Sequence, residues 1–343
     1  MRNTNNKLTL FTVTAAALAL GTASLAAADT LENTLERGAV QCGVSDGLPG
    51  FSAPNDQGEW QGLDVDVCRA VAAAVFGDAD AVRYISLNAV ERFTALQSGE
   101  VDLLSRNTTW TTTRDTTLGV NFTGVTFYDG IGFMINRELG VDSVYGLDGA
   151  AICVQSGTTT ELNVADFFRA NDMQFDPIVF DTSEQTVGGY EAGRCDVLTS
   201  DTSQLAALRI QLAEPDQSII LPEIISKEPL GPAVRQGDDL WFNIVKWSLF
   251  AMLNAEEMGI TSENVDEMLN SEDPDIARLL GQDGNYGEAM QLEADWAYNI
   301  VKQVGNYGES FERNVGMDSP LQIERGLNAL WTNGGIQYAP PIR

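Results

Sequence analysis

The sequence predicts two similar α/β lobes joined by two extended crossings and followed by a helical extension. Three observations point there. Short apolar runs alternate with helical periodicity in the order strand-helix-strand-helix-strand, over residues 40–104 and again over 151–200, the order of a parallel α/β unit. The second unit echoes letters of the first: Gly99, Asp102 and Leu104 recur as Gly193, Asp196 and Leu198. In both places glycine stops a helix and a strand begins. Beyond residue 239 the alternation gives way to helical spacing alone.

A lead-in helix is expected over 31–37 and a first strand over 40–44 (VQCGV). The loop GLPGF at 47–51 and a turn at 58–62 precede a helix over 64–76, with Asp64 as its cap and Val67, Val71 and Val75 on one stripe. A strand at 82–86, a helix at 89–98 and a strand at 101–104 complete the first unit. The second unit has strands at 151–155, 177–181 and 196–200, with helices from 159 to about 170 and over 183–192. The run GIGFMI at 130–135 is the expected crossing strand, and the proline-rich stretch around 224–234 the return. Lobe one is then discontinuous, 29–128 plus 224–260, lobe two is 129–223, and the extension is 261–343. Two crossings of this kind make a hinge around a cleft. Trp241, Val245, Leu249 and Leu253 recur every fourth residue, a helix packed on lobe one. Further helices are expected at 262–269, 275–280, 292–304, 307–315 and 321–331. The tetrad NYGE occurs twice, at 285–288 and 306–309, and reads as turn and helix-start punctuation.

The totals exclude several functions. A formal net charge of −29 speaks against nucleic acid and against an anionic membrane surface. The chain has no histidine, which removes the commonest general base and metal ligand, and its four cysteines show no C-x-x-C spacing. No metal or cofactor is expected. Arg2 and Lys7, the uncharged stretch 8–25 and Ala26-Ala27-Ala28 read as an export signal cleaved after Ala28. An exported chain with four cysteines is a candidate for two disulfides. The layout favours Cys42 with Cys68 and Cys153 with Cys195, because a bridge between lobes would fasten the cleft.

Residues 105–115, SRNTTWTTTRD, follow an apolar strand and carry hydroxyls, free N–H groups and Arg114 to a sheet edge. The carboxyl edge of an α/β sheet is where ligands bind, and a shielded Arg holds a carboxylate through paired, charge-assisted hydrogen bonds. Thr109 and the backbone near Asn107 and Thr112 would add to it. The rival reading is a solvated Thr-rich loop with a surface Arg. From lobe two, Ser156, Thr158 and Thr159 sit at a helix start, where N–H groups attract an anion. Asp201 ends the strand at 196–200 and can pair with an ammonium; its rival role is the cap of the helix that begins at Thr202. Arg114 and Asp201 together describe the two poles of an α-amino acid. Arg106 reads as a surface or interlobe salt bridge.

In combination, the export signal, GLDVD at 62–66, the Thr-rich run with Arg114, SGTT at 156–159 and CDVLTSD at 195–201 resemble the extracytoplasmic polar-amino-acid-binding proteins of bacterial ABC transporters. VGNYGE at 304–309 and the terminal YAPPIR resemble the general L-amino-acid-binding branch. The resemblance implies a type II-like periplasmic-binding-protein fold that closes on free L-amino acids and presents them to the membrane subunits of an ABC permease. It implies a monomer without cofactor or catalysis. Arg114 would take the α-carboxylate, assisted by Thr109 and the Thr159 backbone, and Asp201 the α-ammonium, assisted by the Asn107 carbonyl. Phe51 would cover the ligand and Gln155 read its side chain. Arg106 replaces a small residue of many relatives and Ala89 an aromatic, which suits a polar, roomy pocket for Glu, Gln, Asp, Asn or a broad mixture. The rivals are an exported dehydratase of amino-acid-like substrates, for which the cleft segments hold few Glu or Lys, and a ligand sensor for a receptor.

Overall fold

A computed structural model of the chain describes residues 29–343, so the expected export signal lies outside the described residues. Two five-stranded sheets form the cores of two lobes. In the first, the strands run in the order Val82–Ser86, Val40–Val44, Leu103–Leu104, Ala233–Arg235, Val120–Phe122. In the second, the order is Asp176–Phe180, Ala151–Gln155, Val197–Asp201, Ile131–Asn136, Ser218–Ile220. In each sheet the first three strands are parallel, and the fourth runs against them, pairing antiparallel with the third and with the fifth. The repeat seen in the letters is therefore a repeat of topology.

The crossing differs from expectation. Residues 131–136 belong to the second sheet, paired with Val197–Asp201. The segments that run between the lobes are Phe127–Asp129 and Glu228–Leu230, paired antiparallel with Asp129 opposite Glu228. Gly130 follows at once, and a Cβ there would meet Ile224 Cγ2 at 2.2 Å and the Ser226 carbonyl at 2.7 Å. The two crossings approach too closely for any side chain at that point.

Lobe one is covered by helices Leu63–Phe76, Asp239–Glu257 and Trp296–Val304, which pack on one another. The four-residue stripe Trp241, Val245, Leu249, Leu253 is fully buried, as its period requires. Trp241 adds an indole N–H bond to the Asp102 carbonyl at 2.9 Å, the partner a buried tryptophan needs. Helix Leu63–Phe76 starts one residue earlier than its pattern suggested, at an N-cap of Gly62 with φ 132°. A Cβ on Gly62 would lie 2.1 Å from the Phe51 carbonyl oxygen, so Asp64 is displaced into the first turn and is not the cap.

The extension is anchored by the second acid of the GLDVD motif. Asp66 Oδ2 accepts bonds from Ser310 Oγ, Arg313 Nη2 and Asn314 Nδ2, each at 2.6 Å. Asn306 and Glu309 of the second NYGE tetrad form a reciprocal capping box on helix Tyr307–Asn314. The helix expected over 321–331 is absent: that stretch holds only the 3-10 turns Gly326–Asn328 and Trp331–Asn333. Disulfides join Cys42 to Cys68 and Cys153 to Cys195, both within a lobe, closing separations of 26 and 42 residues. On the loop-entropy model each contributes roughly 3.5–4 kcal/mol.

Candidate functional site

The Thr-rich loop leaves the carboxyl edge of the first sheet between the lobes. Its first residues are buried, which disposes of the solvated-loop reading: Ser105, Arg106, Asn107, Thr108, Thr109 and Arg114 are each no more than 8% exposed. Asp64 holds the loop from beneath. Its carboxylate accepts the Asn107 N–H at 2.7 Å and the Ser105 hydroxyl at 3.4 Å, and Asn107 adopts φ 32°, a conformation Asn tolerates better than most residues. Burial pushes the Asp64 carboxyl up to about 7, opposed by the Asn107 N–H and by Arg106. Arg106 is neither exposed nor interlobe. It donates Nε to the Leu87 carbonyl at 2.8 Å and lies 3.8 Å from Asp46, another first-lobe residue.

Arg114 lies in the short helix Thr112–Thr117, whose cap Thr111 accepts the Arg114 N–H. Its guanidinium donates to the Thr109 carbonyl at 2.9 Å and lies against the Phe93 ring. Burial pushes Arg114 down to about 10, opposed by the charges of Glu228 and Asp201, so it stays cationic near neutrality. Arg92 packs on the same ring and donates to Thr108 Oγ1 at 3.3 Å. Burial and the neighbouring Arg114 and Arg106 charges hold Arg92 well below its ordinary range.

The second lobe brings Asp201 at the end of its central strand. Asp201 occupies the N-cap position of helix Thr202–Arg209, yet its side chain makes no capping bond. Asp129 does that work from the crossing strand, accepting the Ser203 N–H at 3.1 Å and the Thr202 hydroxyl. The Asp201 carboxyl is raised well above its ordinary range by burial and by Asp129 and Glu228, against the pull of Arg92 and Arg114. Arg114 and Asp201 therefore sit in one electrostatic environment, from opposite lobes.

Hydrogen bonds bridge the lobes at two places. Asn107 Nδ2 donates to Gln204 Oε1 at 3.0 Å, Gln204 donates to Ser183 Oγ at 3.0 Å, and Ser183 donates to Gln155 Oε1 at 3.1 Å. The Thr109 and Thr159 hydroxyls meet at 3.3 Å, and Thr159 donates to Glu228 Oε2 at 2.9 Å. The other Glu228 oxygen takes Asn163 at 2.9 Å and Ser226 at 2.7 Å.

Of the residues singled out from sequence, Arg114, Asp201, Asn107, Thr109, Thr159 and Gln155 come together here. Thr158 caps helix Thr159–Ala170 and donates its hydroxyl to the Gln155 carbonyl, and Ser156 faces Asp181. Both hydroxyls are engaged at the helix start and outside the bridging network. Phe51 is a core residue of the first lobe, 1% exposed and edge-on to Phe127 at 5.5 Å. Arg92, Glu228, Asp129 and Asp64 were missed as site residues. No spacing marks them, although an acid beside each crossing (Asp129 before Gly130, Glu228 before Pro229) is a signal that could have been followed.

One set of atoms defines what this arrangement can bind. Among the described residues, the buried side-chain atoms without a hydrogen-bond partner are Arg92 Nε, Asn107 Oδ1 and Asp201 Oδ1. Native structures leave few such groups, and a cluster asks for a cause. Here an arginine donor and a neutral acceptor from one lobe and an acid from the other are left unpartnered, with Arg92 and Asp201 within reach of each other's charge, and none of Arg92, Arg114 and Asp201 takes part in a salt bridge among the described residues. A small molecule carrying both charges would supply the partners these atoms lack. Among the described residues no group of acidic or cysteine side chains could hold a metal ion.

Comparison with known proteins identifies the family. A general L-amino acid-binding periplasmic protein of Rhizobium johnstonii is 61% identical over 340 residues, covering 98% of this chain and 99% of that one. A glutamate/glutamine/aspartate/asparagine-binding protein of Rhodobacter capsulatus is 51% identical over 328 residues, covering 95% and 97%. A periplasmic binding protein of an ABC transporter from Brucella ovis, solved with glutathione bound, superposes with a TM-score of 0.91 at 58% identity, covering 92% of this chain and 100% of that chain. Residues 40–264 match the family model itself. The chain belongs to the bacterial extracellular solute-binding proteins, family 3.

Proposed function

We propose that this protein captures free polar L-amino acids (glutamate, glutamine, aspartate, asparagine or a broad range) outside the cytoplasm and delivers them, as a monomer, to the membrane subunits of an ABC-type permease. In this reading residues 1–28 direct export. The single observation that carries it is the set of unpartnered buried groups on both lobes, Arg92 and Asn107 on one and Asp201 on the other, with Arg92 and Asp201 within reach of each other's charge. The names of the relatives, which bind amino acids, support the ligand class.

The roles follow from charge and position. Arg114 takes the α-carboxylate, and the Thr109 hydroxyl and the Thr159 N–H at the start of its helix add donors. Asp201 takes the α-ammonium, which restores the ionisation that burial opposes, with Asn107 accepting beside it. A zwitterion held this way matches each buried protein charge with an opposite one, the condition for burying them at modest cost. Arg92, next to Arg114 but aimed by a separate helix, suits a carboxyl or amide oxygen on the ligand side chain. Because the two poles are held by different lobes, only the closed form makes both sets of contacts, and that difference drives closure.

Calorimetric titration of ligand-stripped protein with the polar L-amino acids, together with glutathione, tests the reading. At least one amino acid is expected to bind, and Arg114→Ala is expected to abolish the heat. No binding by folded wild-type protein, or undiminished binding by Arg114→Ala, would overturn it.

A further inference from the structure

The extension beyond residue 264 lies outside the family match, and it touches the molecule at a telling place. The crossing strand Phe127–Asp129 has two edges. One pairs with Glu228–Leu230. The other is held by a side chain: Asn328, buried in its 3-10 turn, accepts the Tyr128 N–H on Oδ1 at 2.7 Å and donates Nδ2 to the Tyr128 carbonyl at 3.2 Å. An amide side chain thereby takes the place of a neighbouring strand. The preceding carbonyls are also held by the extension, Thr126 by the Tyr307 hydroxyl at 2.7 Å and Val125 by Gln337 at 3.2 Å. The Phe127 ring stacks on Phe311 at 5.8 Å.

Asn328 is itself fixed. Arg325 donates to its carbonyl at 3.0 Å, pairs with Glu256 of the long lobe-one helix at 3.0 Å, and lies over the Tyr307 and Phe311 rings. The extension and lobe one thus form one body that grips residues 125–128. The grip ends at Asp129, whose carboxylate caps the helix beginning next to Asp201.

We propose that the extension is a brace on the hinge and that Asn328 is its positioning residue. By clamping the Tyr128 peptide it confines the pivot to Asp129–Gly130, which sets how far the ligand-free lobes spread and so how much freedom ligand binding must remove. Asn328 acts through the crossing strand and touches no ligand. The proposal rests on the amino-acid-binding reading for its effect on affinity, but its effect on the ligand-free hinge is independent of it.

The test compares Asn328→Ala with Asn254→Ala, a buried amide that bonds the extension's Pro340 carbonyl at 3.0 Å on the long helix, away from the crossings. Small-angle scattering of ligand-free protein reads the spread of the lobes, and calorimetry with L-glutamate and L-glutamine reads affinity. Asn328→Ala is expected to enlarge the ligand-free radius of gyration and to weaken binding about 5- to 20-fold, the scale on which contacts between coupled elements act. Asn254→Ala is expected to lower the melting temperature and leave both unchanged. Should Asn328→Ala not fold, Asn328→Asp keeps the acceptor for the Tyr128 N–H, loses the donor, and is expected to show a smaller change of the same sign. If the ligand-free radius is unchanged, or if the Asn254 variant changes it equally, the brace is wrong. A wild-type protein that binds neither amino acid would count against the ligand class alone, since the scattering comparison still decides the brace.

Discussion

Replacing Asp201 with asparagine separates its two candidate roles by sign. The substitution keeps shape and removes charge. If Asp201 holds the ligand ammonium, the loss of a charge-assisted bond in a buried site is worth about 3 kcal/mol, or roughly 150-fold in affinity. The same carboxylate is a burden on the ligand-free protein, raised by burial and by Asp129 and Glu228 and left with one unpartnered oxygen. Neutralising it is therefore expected to stabilise the ligand-free state by on the order of 1 kcal/mol, raising the melting temperature by about 2 °C for a chain of this size. Asp129→Asn is expected to do the reverse, lowering the melting temperature, because Asp129 caps helix Thr202–Arg209. Calorimetric titration and scanning calorimetry of both variants read the two quantities. An Asp201→Asn protein that melts lower than wild type, or binds its amino acid as tightly, would refute the assignment of Asp201 to the ligand.

Arg92→Met removes the cation suited to the ligand side chain, and titration is expected to show glutamate and aspartate weakened about 10- to 100-fold, on the scale of a charge-assisted bond, with smaller losses for uncharged amino acids. Equal losses across the panel would place Arg92 at the common head group instead. Asp64 predicts a pH effect. Its folded value of about 7 lies above the ordinary 3.8 of an aspartate, so the folded state takes up the proton first and this contribution to stability is lost as pH rises through 7. Between pH 5 and 8 the contribution falls by roughly 2–3 kcal/mol. Denaturant unfolding of Asp64→Asn across that range is expected to show a flatter profile than wild type, and an equally steep one would exclude Asp64 as the source.

Local pattern made much of the candidate site legible. Arg114 could be found because a strand runs into a polar stretch with an arginine, and Asp201 because an acid ends the matching strand of the second unit. Repeated element order carried the two lobes, and the apolar period carried the long helix. Glycines misled the reading where backbone contact matters more than side-chain pattern: the close approach of Phe51 to Gly62 moved a helix start, and that of Ile224 to Gly130 marked a crossing one strand earlier than expected.

By itself, the chain's order of residues determined two α/β units, two intralobe disulfides and the opposite charges that face one another. The α/β units depend on neighbours a few positions apart and on a period that burial enforces; the disulfides and the charges, 26 to 87 positions apart, follow from the order of elements in those units. Only the tertiary structure decided which charges are free. Asp201 is released from capping because Asp129, 72 positions earlier in the chain, does it instead. Arg92 comes beside Arg114 because both guanidinium groups lie against the Phe93 ring. Asp64 lies under the Thr-rich loop because Gly62 displaces its helix. The physical reason is common to all three: a buried polar group must find its partner wherever the packed chain puts one, and distance along the sequence says nothing about where that will be.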